Sequence, residues 1–143
     1  MLSRRRVKQS KAMRETLIRE HRELDELFGR FLSAVTSGDL ESSRRSIEDF
    51  DRELRRHTAL EEERVLPVPT GHKLAPPEEE AGRERLFREL RVEHVQVREV
   101  SAMIVRLLGE RGDLEGARAL AGNLARRWDA HTTREERELF QDP

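Results

Sequence analysis

The sequence predicts an all-α protein, an up-down-up-down antiparallel four-helix bundle, and three observations carry that prediction. Apolar residues recur at alternating three- and four-residue steps through four long segments, as expected of helices that each bury one stripe. Charged residues make up 40% of the chain against 35% apolar, the balance of long helices whose outer faces are solvated. Tyr is absent, and five Phe and one Trp are too few for a strand-rich fold. A length of 143 residues fits one domain with a continuous core.

From about Lys11 to Val35 the stripe is Leu17, Leu24, Phe28, Phe31 and Val35, with His21 filling its one gap. Thr36-Ser37-Gly38-Asp39 is a short turn whose Asp39 suits an N-cap, so the next helix is an antiparallel neighbour. That helix, Leu40 to Leu66, carries Ile47, Phe50, Leu54, His57 and Glu61 inward. It stops at Pro67 and Pro69, and the segment on to Pro77 reads as the loop between two halves, with His72 a solvated loop histidine. The third helix opens after Pro76-Pro77, with Glu78, Glu79 and Glu80 at the positive end of its dipole. Its stripe is Phe87, Leu90, His94, Val97, Ser101, Ile104 and Leu108, and Gly109 to Gly112 is expected to end it. Asp113 caps a fourth helix whose inward positions are Leu114, Ala117, Ala121, Leu124, Trp128, His131 and Glu135. The bundle is expected to occupy residues 11–143, and the basic run at residues 1–10 is expected to be a disordered arm.

The same composition removes several classes of function. A net charge of −1 argues against a general nucleic-acid binder. With no cysteine there are no disulfides, thiolate ligands or cysteine nucleophiles, which fits a reducing, cytoplasmic setting. Arg4, Arg5, Arg6, Lys8 and Lys11 are followed by no apolar core, so no secretory signal is expected, and no stretch approaches a membrane span.

Two stretches carry chemistry. His57-Thr58-Ala59-Leu60-Glu61 and His131-Thr132-Thr133-Arg134-Glu135 each place an imidazole and a carboxylate four residues apart, on one helix face and about 5–6 Å apart at Cβ. The steps from His21 to His57, to His94 and to His131 are 36, 37 and 37 residues, so each helix returns a histidine to the same height. An offset of 74 aligns Gly38-Asp39-Leu40-Glu41 with Gly112-Asp113-Leu114-Glu115, Leu54 with Trp128, His57 with His131 and Glu61-Glu62 with Glu135-Glu136. An offset of 73 aligns Glu20-His21 with Glu93-His94. Two similar hairpins about a pseudo-twofold axis favour two metal ions over one. Singly, an inward histidine is more often a satisfied core residue than a ligand. Four histidines and two glutamates buried together, without a strong shared partner, would each cost several kcal/mol, roughly, and a common metal resolves that. Imidazole and carboxylate donors suit iron, manganese or zinc. Glu62 and Glu136 offer alternative carboxylates and are expected at the surface.

On these residues the chain resembles the hemerythrin-like, or HHE cation-binding, family from about residue 11 to 140. The pattern is His21 on the first helix, His57 with Glu61 on the second, His94 on the third and His131 with Glu135 on the fourth. The resemblance implies a non-haem diiron centre with an oxo or hydroxo bridge: His21 and His57 on one iron, His94 and His131 on the other, Glu61 and Glu135 bridging. It also implies a small ligand, O2, NO or peroxide, to be bound, sensed or scavenged. Oxygen-carrying members have a second histidine four residues away on the third helix, whereas the flanking positions here are Leu90 and Arg98. Two other functions stay open at this stage: an enzyme that turns over peroxide, and a bundle in which the metal is structural and a protein partner, as yet unknown, is the target.

Overall fold

The computed structural model describes residues 2–66 and 76–140, with side chains from residue 11 onward. His72 and the crossing loop lie outside the described residues. Among the described residues there are four long helices and no strand: α1 (Leu2–Ser37), α2 (Leu40–Arg64), α3 (Pro77–Arg106) and α4 (Leu114–Glu138). α1 packs on α2, α3 on α4, α2 on α3 and α1 on α4, a closed ring of neighbours. The backbone of α1 begins at Leu2, ahead of the apolar stripe that starts near Lys11.

The two hairpin turns are built alike. Gly38 (φ 77°) and Gly112 (φ 60°) take the left-handed conformation that lets a helix end sharply. Asp39 then accepts a hydrogen bond from the Ser42 backbone N–H at 3.0 Å, and Asp113 one from Gly116 at 2.8 Å, capping α2 and α4. Pro77 opens α3, followed by the expected acidic first turn. The third helical run ends within Gly109 to Gly112, as expected, at a left-handed Gly112; its last turn, over Leu107–Arg111, is a wider π-helical one, closed where Asp113 N–H donates to the Leu107 carbonyl at 3.1 Å.

The inward stripes meet as read except at Phe87 and Leu114, which are half-buried, Phe87 outside the core cluster. Leu24, Phe28, Phe31, Val35, Ile47, Phe50, Leu54, Val97, Ile104, Leu108, Ala117, Ala121, Leu124 and Trp128 form one apolar cluster in the half of the bundle nearest the hairpin turns. Toward the other end Leu17, Leu66, Leu90 and Phe140 are also buried. α2 and α4 finish identically there: Leu66 N–H donates to the Glu61 carbonyl (2.9 Å) and Phe140 N–H to the Glu135 carbonyl (3.0 Å). Between these two apolar layers lies a polar one.

Candidate metal centre

That polar layer consists of His21 from α1, His57 and Glu61 from α2, His94 from α3, and His131 and Glu135 from α4, none more than 2% exposed. Heptad-like spacing is the local reason: each histidine replaces an apolar residue in an inward stripe, and the i,i+4 step places each glutamate one turn further along the same face. The ligating atoms of His21, His57, Glu61 and Glu135 lie within 4.8 Å of one another, and so do those of Glu61, His94, His131 and Glu135. Both sets contain both carboxylates. Glu135 Oε1 sits 3.1 Å from His21 Nε2 and 3.1 Å from His131 Nε2, while its Oε2 lies 3.3 Å from His94 Nε2. Glu61 Oε1 meets His57 Nε2, and its Oε2 lies 3.8 Å from His94 Nε2. The imidazole pairs match, with centroids 4.8 Å apart for His21–His57 and 4.8 Å for His94–His131.

The fit to a cation can be judged from unsatisfied atoms. Among the described residues, every buried side-chain N or O without a hydrogen-bond partner belongs to these six residues, apart from Arg44 Nε: the Nε2 atoms of His21, His57 and His131, both oxygens of Glu61 and Glu135 Oε1 within the layer, and the Nδ1 atoms of His21 and His94 behind it. A buried polar group left unpaired costs about 1–3 kcal/mol. A whole domain is stable by only about 5–15 kcal/mol. Convergent lone pairs from neutral imidazoles and carboxylates are what a cation satisfies, and the residues fit one.

The rings are held from behind. His57 Nδ1 lies 2.8 Å from Glu20 Oε1, and Glu20 Oε2 accepts from Arg56 at 3.1 Å. His131 Nδ1 lies 2.7 Å from Glu93 Oε1, and Glu93 Oε2 accepts from Arg134 at 2.7 Å. A carboxylate on Nδ1 fixes that proton there and turns the Nε2 lone pair inward. Below the layer, Trp128 packs edge-on to His21 and His57, at centroid distances of 5.6 and 6.4 Å, and donates its indole N–H to Asp25 at 2.8 Å.

Charges in the layer are strongly coupled. Burial alone would lower His21 and His131, but the close carboxylate of Glu135, with that of Glu61 beside His21 and that of Glu93 beside His131, raises each to about 9. Burial would raise Glu135, yet close contact with Glu61 and with the imidazoles of His131, His21 and His94 holds it well below the usual carboxylate range. Glu20 and Glu93 are likewise below it, because His57 with Arg56, and His131 with Arg134, outweigh their burial.

A scan against family models matches residues 12–142 to the hemerythrin HHE cation-binding domain. The chain belongs to that family. No curated protein and no solved structure matched it. As an HHE domain it binds a cation, and the buried His/Glu layer is where one fits. No helix among the described residues is long and apolar enough to cross a membrane.

Sequence reasoning brought the six inward residues together but left out those that hold them. Glu20 and Glu93 had a signal, because each precedes its inward histidine and the pair aligns under the half-chain repeat. Glu62, expected at the surface, is half-buried, with Oε2 3.4 Å from His94 Nδ1 and accepting from Arg98 Nη1 at 3.0 Å. Glu136 is more exposed, 43% by side chain, and 4.0 Å from His21 Nδ1.

Proposed function

We propose that this HHE domain holds two iron ions, His21 and His57 serving one, His94 and His131 the other, with Glu61 and Glu135 spanning both, and that it acts on O2, NO or peroxide. The observation that supports the reading is the sharing of both carboxylates by the two four-residue sets. One ion would leave two of the four imidazoles unpartnered in the core. When bound, an iron pair supplies one-electron redox chemistry at positions open to a small ligand. The chain's own part is to place and enclose. Glu20 and Glu93 orient two of the imidazoles, while Leu17, Leu66, Leu90 and Phe140 close one end of the layer with side chains that exclude water.

Leu90 decides between carriage and turnover. It is fully buried one turn before His94, where a fifth imidazole would otherwise enter the layer. With four imidazoles and two carboxylates, neither ion is saturated by protein, which favours peroxide consumption over reversible oxygen carriage. The test compares wild type with Leu90→His. Iron-loaded wild type should absorb in the near-ultraviolet and visible, shift with azide and consume peroxide, with Leu90→His slower. A colourless protein, or a wild type that oxygenates reversibly with negligible peroxide loss, would refute the respective half of the proposal.

A further inference from the structure

The two halves of the polar layer match in four respects, and one of their differences bears on how the imidazoles are held. His57 and His131 are backed alike, through Glu20 with Arg56 and Glu93 with Arg134. The centroid distances within the two imidazole pairs are equal. Glu61 and Glu135 serve both sets, and α2 and α4 end identically behind them. The difference lies behind His94 and His21.

Behind His94, Arg98 Nη1 donates to Glu62 Oε2 at 3.0 Å and to Thr58 Oγ1 at 3.1 Å, and the carboxylate so fixed stands 3.4 Å from His94 Nδ1, within ion-pair reach but outside hydrogen-bond geometry. Behind His21, Glu136 is 4.0 Å from Nδ1 and meets no other cationic group among the described residues. The 73-residue offset explains why: the counterpart of Arg98 is Asp25, an acid, and it is occupied by the Trp128 indole N–H. The counterpart of Thr58, Thr132, donates to the Asp129 carbonyl. A carboxylate anchored within ion-pair reach of Nδ1 favours the proton there and a more basic lone pair at Nε2, and loss of such an outer partner typically lowers metal affinity about 10–100-fold.

We infer that the two halves bind metal with unequal affinity, and that Arg98, acting through Glu62 on His94, makes the His94–His131 half the tighter. Arg98 is thus a positioning residue. This inference rests on the two-ion reading above. The experiment is a titration of metal-free protein with cobalt(II), followed by calorimetry and by d–d absorption. Wild type should take up ions in two steps separated by about tenfold or more in Kd. His21→Ala should spare the tight step, and His94→Ala should remove it. Arg98→Gln should weaken the tight step alone and bring the two together, and Arg98→Lys should restore part of the gap; a merely structural role would weaken both steps alike. Two equal steps, or a tight step lost in His21→Ala but kept in His94→Ala, would overturn the inference. Uptake that stops at one ion in wild type would overturn the two-ion reading itself.

Discussion

At the scale of single residues the structure turns on Glu61, fully buried and common to both sets of candidate ligands. Glu61→Ala should strip metal from both halves. It should also remove the stabilisation that metal gives by binding only the folded state, about 4 kcal/mol when free metal is a thousandfold above Kd. The exposed Glu63→Ala is the control, and equal losses of metal and Tm in the two variants would sink the assignment. The charges make a second prediction. In metal-free protein His21 and His131 are raised to about 9, so their protonated forms contribute stability that is fully present below the unfolded value of about 6.5. That contribution is lost as pH rises through about 9. Metal needs the imidazoles neutral, so loaded protein should not show the decline. Melting temperatures from pH 6 to about 9.5, with chelator and with metal, check this; parallel curves would contradict it. The six inward residues were legible in the sequence because a polar residue in an apolar stripe breaks an expectation. Glu62 was not, since a carboxylate five residues past a histidine looks like any solvated helix position, and only the approach of α3 brings Arg98 to it.

At the scale of elements, caps and turns were the most legible features, because Gly38-Asp39 and Gly112-Asp113 combine a left-handed glycine with an N-cap acid. The widening of the last turn into a π-helical one at Leu107–Arg111 was not, since apolar spacing marks a helix and its inward face without distinguishing one closely similar pitch from another. Gly38 has only the end of Arg118 near it, at 3.8 Å, so a methyl group there meets no obstacle and the cost of Gly38→Ala is conformational. Denaturant unfolding should show a loss of about 1–2 kcal/mol, with Asn tolerated better than Ala. Metal content should be unchanged, because the turn lies at the end of the bundle away from the polar layer. A parallel loss of metal would mean that the hairpin turn and the layer are not independent.

For the whole molecule, the repeat is what makes the fold and the site one problem. Two hairpins of like sequence, each carrying a histidine on its first helix and a His-x-x-x-Glu on its second, close into a ring whose centre is polar. Nearly all of the bundle was readable from stripe and turn, and membership of the HHE family follows from a match across residues 12–142. What the chain does with its cation was less readable, because ligand choice depends on what surrounds the layer: the apolar ends at Leu17, Leu66, Leu90 and Phe140, and the uneven backing of His21 and His94. The two-ion reading rests on the sharing of both carboxylates. Metal analysis of protein purified from iron-replete cells, normalised to protein by amino-acid analysis, tests it directly. We expect about two metal ions per chain, mostly iron, on the proposed reading in which the two sets of candidate ligands share both carboxylates. A single ion per chain at full occupancy would contradict it.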